Sequence, residues 1–209
     1  AKDAGVAREH EGGKGTRVFR VVLTGGPCGG KSSSLSTISK ALNRCGYDVY
    51  CVPEVPTLLL NGGCKYPGID GGYRLQEFEG GLIQLQLQVE RTFTRIAAST
   101  GRPSVLIMDR GLLDIKAYLP LREWKELLQQ NELTEEAITR RYDAVLHLVT
   151  AASGAEAHYK SGSTVDDDGN GVVREESPAA ARSLDDKMKH AWRDHPRHGI
   201  ISNLDDGFD

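Results

Sequence analysis

The stretch "VVLTGGPCGGKSSSLSTIS", Val21 to Ser39, passes from β-branched apolar residues through a glycine-rich turn into a helix-forming run. Gly25, four residues, then Gly30, Lys31 and Ser32 is the spacing of a P-loop, in which successive backbone N–H groups and a helix N-terminus surround a polyphosphate. Gly25, Gly26, Gly29 and Gly30 let the backbone come close to a ligand because no Cβ stands in the way, and Pro27 and Cys28 fill the two free positions. Lys31 would set a point charge against the β- and γ-phosphates, the Ser32 hydroxyl would enter the coordination of Mg²⁺, and Ser33 completes the binding set that starts at Gly25. Context decides the reading. The apolar run from Val18 to Leu23 precedes the turn, and the helical pattern after it stops at Cys45-Gly46, where glycine ends helices. Strand, loop and helix in that order are the arrangement a P-loop requires, so a nucleoside triphosphate such as ATP or GTP is expected there with Mg²⁺.

At 209 residues the chain suits one α/β domain with a substantial core. A net charge of −3 offers no basic excess for nucleic acid. No apolar run approaches the roughly 18 residues of a transmembrane helix, so a soluble cytoplasmic domain is expected. Cys28, Cys45, Cys51 and Cys64 lack C-x-x-C spacing and fall in or near expected buried strands and helices, which favours reduced thiols over a disulfide framework. Residues 1–16, "AKDAGVAREHEGGKGT", carry charge and glycine without an apolar signal-peptide core and read as a flexible leader to a P-loop domain over 17–209.

"YDVYCVP", Tyr47 to Pro53, is a second strand by its β-branched and aromatic content, and a glycine-rich loop follows as far as Gly72. From Tyr73 to about Thr100, Leu75, Phe78, Leu82, Leu85, Val89, Phe93 and Ile96 recur at spacings of three and four, predicting a long helix weakened and kinked at Gly80-Gly81. "PSVLIMDR" is apolar enough for a strand buried on both faces of a parallel sheet, and Asp109 ends it. Two or three helical patterns between Leu112 and Arg141, a strand from Asp143 to Thr150, a helix capped by Ser177 with Pro178 at its first position, and a strand from His198 to Ser202 complete the order. Strands alternating with helices predict a doubly wound parallel α/β sheet, with ligands at the carboxyl ends of the strands. The P-loop, Glu54, Asp109 and the stretch after Thr150 all fall on that edge.

Two roles are open to each charged residue there. Asp109 either holds Mg²⁺ in the Walker B manner or caps the next helix. Arg110 either serves metal and substrate or pairs with Asp114. Glu54 is the candidate general base, or a surface acid between two prolines. Residues from about 151 to 194 are polar and are expected to form a mobile lid, with Arg174 and Arg182 as candidates to neutralise the transferring phosphoryl group, or as plain surface charges. Asp166, Asp168, Asn170 and Gly171 imitate the start of a calcium loop, but Ser177 stands where a bidentate Glu is needed, so the segment reads as an acidic turn of the lid.

The stretches "VVLTGGPCGGKSS", "VYCVPEVPTLLLNGG", "IMDRGLLDIKAYL", "RYDAVLHLVTAASGAEAHY", "ESPAAARSLDDKMKHAWRDHP" and "IISN" together resemble the P-loop domain of the TRPL translocation defect proteins and, more distantly, the ribosylnicotinamide kinase domain of bacterial NadR proteins. The resemblance implies a nucleoside-kinase-like P-loop sheet with a helical lid, and carries nucleotide-site roles onto Lys31, Ser32, Asp109, Glu54 and the lid arginines Arg174 and Arg182. Translocation defect proteins continue into a CYTH-like domain suited to phosphorylated ligands, which is expected to be absent from a chain that stops at Asp209. A phosphoinositide or membrane-trafficking partner is implied only through that domain. Two functions then compete. One is a nucleotide-controlled NTPase module, favoured by the lack of an aromatic substrate clamp between Asn61 and Gly72; the other is a small-molecule kinase, favoured by a catalytic Glu54.

Overall fold

The computed structural model describes residues 17–68, 70–159, 162–165, 171–174 and 177–203. In chain order the elements are β1 (Val18–Thr24), α1 (Lys31–Arg44), β2 (Asp48–Val52), α2 (Val55–Asn61), α3 (Tyr73–Ser99) and β3 (Ser104–Asp109). A 3₁₀ segment over Leu112–Tyr118 leads to α4 (Leu121–Gln130), α5 (Glu135–Thr139) and β4 (Ala144–Leu148), and then come β5 (Gly162–Val165), β6 (Gly171–Arg174), α6 (Pro178–Trp192) and β7 (His198–Ile201). Five strands form a parallel sheet in the order β2-β3-β1-β4-β7, while β5 and β6 pair separately as an antiparallel ribbon. This is the doubly wound α/β sheet that the alternation of elements predicts.

β1 occupies the centre, with Val22 opposite Met108 of β3 on one side and opposite Val145 of β4 on the other. The chain fills the β3–β2 side first and then crosses to β4 and β7, so the topological switch falls at β1, whose carboxyl end carries the glycine-rich turn. Period-two alternation sorts the core. Val22 packs with Trp124, Trp192 and the inner faces of α3 and α4, whereas Leu23 meets Leu35, Ile38 and Leu42 of α1 on the opposite face. β3 is buried from Ser104 through Met108, as a central strand must be.

Several expectations change. The stretch after Glu54 is helical rather than loop: Pro56 sits in the first turn of α2, where its missing N–H costs nothing. α3 runs unbroken through Gly80-Gly81, and a Cβ built at Gly80 would make only ordinary contact, at 3.7 Å, with the Leu127 side chain of α4. Cys45, Cys51 and Cys64 are exposed rather than buried, Cys51 because β2 is an edge strand, although all four cysteines are free thiols. The C-terminal half of the segment expected as a lid is core: Ala181, Asp185, Met188, Ala191 and Trp192 of α6 are buried, and Ser177 caps that helix by accepting the Ala180 N–H. The leader 1–16 and the calcium-loop residues Asp166, Asp168 and Asn170 lie outside the described residues. No helix among the described residues is long and apolar enough to cross a membrane.

Candidate active site at the carboxyl edge

The turn between β1 and α1 is shaped by Gly25 at φ +134°, Cys28 at φ +55° and Gly30 at φ +73°. A Cβ at Gly25 would fall 1.9 Å from the Leu148 carbonyl oxygen, which excludes every other residue there. Gly30 precedes the first turn of α1, so the N–H groups of Lys31 and Ser32 have no intrahelical acceptor and face the turn. Lys31 Nζ donates to the Gly25 and Gly26 carbonyls at 3.0 and 3.1 Å, folding back over the turn. Burial, and next to it the Arg110 charge, push the Lys31 ammonium down to about 8, although Asp109, Glu54 and Asp114 pull the other way.

Glu54, Asp109 and Arg110 meet this lysine because β2 and β3 end side by side on the same edge. Arg110 Nε donates to Glu54 Oε1, and both side chains are largely buried. Thr57, one turn into α2, donates to Glu54 Oε2 at 2.5 Å. Burial works to raise the Glu54 carboxyl, but the Arg110 charge, the Thr57 and Arg110 hydrogen bonds and Lys31 leave it below the usual range, so it stands ionised. Asp109 is shifted the opposite way, raised by burial and by the Glu54 charge, and its Oδ1 is buried with no partner among the described residues. Two carboxyls on one edge are thereby driven apart in acidity, a pattern that clusters at working sites.

Arg110 itself sits at φ +70°, a conformation that costs energy in a non-glycine residue. Its N–H donates to the Leu23 carbonyl, its carbonyl accepts from Gln86 Nε2 at 3.2 Å, and its guanidinium also reaches Met188 Sδ at 3.6 Å. Three elements therefore hold a strained residue in place. Asp114, which the sequence offers as the Arg110 partner, is engaged otherwise: it accepts from Thr24 Oγ1, the Gly111 N–H and Trp192 Nε1, all within 2.9 Å.

Arg182 is exposed on α6, and its Nη1 donates to the Ala152 carbonyl at 2.7 Å. Arg174 ends β6, with its side chain outside the described set. As a test of fit for Mg²⁺, the Ser32 hydroxyl in the first turn of α1 and the unpartnered Asp109 oxygen are the right donors on the right edge. No three His, Cys, Asp or Glu gather into a metal-holding cluster among the described residues.

Sequence reasoning missed Asp185, Thr150 and His147, which cradle the outside of the loop. Asp185 Oδ1 accepts from the Gly26 N–H at 2.8 Å, and Thr150 Oγ1 donates to the Pro27 carbonyl at 2.5 Å. A signal existed: Ala181, Asp185, Met188 and Trp192 recur at helical spacing, so Asp185 lies on the apolar stripe of its helix. The same holds for Glu79, Gln86 and Glu90, which share the buried stripe of α3 with Leu75, Leu82 and Ile83. Glu90 is satisfied by Arg141 and Tyr142, whereas Glu79 makes no hydrogen bond or ion pair among the described residues.

No curated protein matches the sequence. Among solved structures, deoxyadenosine kinase from M. mycoides, determined with bound dATP, is similar in fold, with a TM-score of 0.53 and 15% sequence identity. The alignment covers 91% of this chain and 93% of that one. The fold is thus that of the nucleoside-kinase type of P-loop protein. A family model described as an AAA domain matches residues 20–206, from β1 through the glycine-rich turn to the end of β7, and the chain belongs to that family of P-loop nucleotide-binding domains.

Proposed function

We propose that this domain binds ATP or GTP with Mg²⁺ and transfers the terminal phosphoryl group to the hydroxyl of a small acceptor. The observation that carries the reading is the Glu54–Arg110 pair, an ionised carboxylate clamped on the same edge as Lys31. The residues from Gly25 to Ser33 would cradle the phosphates, and Lys31 would leave the carbonyls of Gly25 and Gly26 to neutralise their charge. Ser32 and Asp109 would hold Mg²⁺, which when bound shields the phosphate oxygens and stabilises charge on the leaving diphosphate. Glu54 would take the acceptor's hydroxyl proton as its oxygen forms the new P–O bond, and Arg110 would keep that carboxylate aimed and ionised until then. Arg182, on α6, and Arg174, at the end of β6, are the candidates to meet the terminal phosphate. A solved nucleoside kinase of similar fold supports a small hydroxyl acceptor.

The second reading is a nucleotide-controlled NTPase module, with water in place of the acceptor. It is favoured by the resemblance to translocation defect proteins and by the lack of an obvious aromatic substrate clamp between Asn61 and Gly72. Under that reading alone, a neighbouring domain would supply the link to phosphoinositides and trafficking.

One experiment separates the readings. Turnover of Mg²⁺ with ATP or GTP is followed with and without a panel of small hydroxyl compounds, for wild type, Lys31→Ala and Glu54→Gln. The kinase reading expects acceptor-dependent turnover that falls roughly 10²-fold in Glu54→Gln while nucleotide binding persists. Acceptor-independent hydrolysis untouched by Glu54→Gln supports the module. Equal nucleotide-induced thermal shifts in wild type and Lys31→Ala sink both.

A further inference from the structure

We infer that Asp185 is the positioning residue of the phosphate loop, and that through it α6 feels whether the loop is occupied. The inference rests on nucleotide binding at the loop, under either reading of the chemistry.

The carboxylate is 1% exposed and collects four donors. Oδ1 accepts from the Gly26 N–H at 2.8 Å, the Thr150 N–H at 3.2 Å and His147 Nε2 at 2.9 Å, while Oδ2 accepts from Lys189 Nζ at 2.7 Å. Loop, β4 and α6 converge on one side chain. The fit at the loop is close: a Cβ added to Gly26 would lie 2.9 Å from both Cβ and Oδ1 of Asp185 and 3.0 Å from Cβ of Thr150. Gly26 therefore has to be glycine because the carboxylate is there.

The same helix grips the next turn of chain one step earlier, where Arg182 Nη1 donates to the Ala152 carbonyl. That turn grips the loop in its own right, Thr150 Oγ1 on the Pro27 carbonyl and the Ala151 N–H on the Cys28 carbonyl at 3.3 Å. Arg182 and Asp185 are three residues apart and so lie on one side of α6. Movement of the Gly26–Cys28 backbone as phosphates seat has two rigid routes into α6, the Asp185 carboxylate and the 150–152 turn. Of these two, Asp185 is the one that bonds both the loop and the helix's own Lys189.

A carboxylate that only stabilises the fold would lower melting temperature without altering affinity in the folded protein. The test measures MgADP and MgATP affinity by calorimetry well below the melting temperature for wild type, Asp185→Ala and Asp185→Asn, with hydrogen exchange on wild type in parallel. Asp185→Asn keeps an oxygen for the Gly26 N–H and stays within about threefold of wild type, whereas Asp185→Ala binds at least tenfold more weakly while remaining folded. In wild type, MgADP raises the protection of amides 182–189 along with that of the loop. Unchanged affinity in folded Asp185→Ala overturns the inference. So does protection confined to the loop and α1, a result that stands even where Asp185→Ala does not fold. Wild type that binds neither nucleotide defeats the nucleotide reading itself, and this inference with it.

Discussion

Glu79 offers the sharpest test of the physics, because it is a carboxyl in the core with no hydrogen-bond or ion-pair partner among the described residues. It is 4% exposed on the inner stripe of α3, and burial alone pushes it from an ordinary 4.5 up to about 7. Below pH 4.5 both folded and unfolded chains hold this proton. Between pH 4.5 and 7 the unfolded chain releases it while the folded chain keeps it, so stability falls as pH rises through that window and the loss is complete above about 7. Glu79→Gln keeps the shape and removes the titration. Each tenfold difference in proton affinity between the two states is worth about 1.4 kcal/mol, so the stability of the variant relative to wild type should grow by about 2.5 kcal/mol between pH 5 and pH 8. For a chain of 209 residues that corresponds to about 6 °C in melting temperature. Urea titrations of both proteins at half-unit pH steps measure it, and every other titrating group cancels in the difference. A gap that stays flat from pH 5 to pH 8, or a wild type more stable than the variant at pH 8, refutes the reasoning.

Lys31, held at about 8, predicts that nucleotide affinity is flat below neutral pH, about twofold weaker at pH 8 and about tenfold weaker at pH 9 than at pH 7; an ordinary lysine would show no change over that range. Calorimetry at the three pH values checks it. Gly111→Ala should cost about 1–3 kcal/mol, or about 2–7 °C, because its Cβ would fall 2.7 Å from Trp192 Cζ2 and 2.8 Å from Val22 Cγ2 in the closed core; scanning calorimetry that shows no loss contradicts the packing described.

What the sequence displayed was whatever depends on local pattern. The glycine spacing, the wholly apolar β3 and the three-four repeat of α3 each need only their own neighbours to be read, and the sheet order follows from how such units connect. α2 was hidden because Pro56 reads as a breaker until its place in the first turn is known. The burial of α6 was hidden by its charges: a helix with Asp185, Asp186, Lys187 and Lys189 reads as polar, yet its narrow stripe of Ala181, Asp185, Met188 and Trp192 faces the core. Contacts such as Glu54 with Arg110, 56 residues apart, or Asp185 with Gly26, 159 apart, exist only once the sheet has brought strand ends together. Long-range polar pairs leave no periodicity behind.

These pairs also explain how the loop can be ready for phosphate before any arrives. Its carbonyls at Pro27 and Cys28 are taken by Thr150 and Ala151 on the outer side, and the Gly26 N–H is taken by Asp185, so the backbone is fixed by groups that a ligand would not displace. The first-turn N–H groups of α1, by contrast, have no acceptor within their helix and lie on the inner side. Lys31 is the charged group on that side whose present hydrogen-bond partners are neutral carbonyls, Gly25 and Gly26. Exchanging those for phosphate oxygens replaces bonds charged at one end with bonds charged at both, which adds direct charge–charge attraction. Most of the loop's contacts are thus made at folding, and binding has to turn one lysine side chain and shift the Gly26–Cys28 backbone only slightly against Asp185 and Thr150, a condition under which fixed dipoles can favour a transition state rather than spend their energy on arranging themselves.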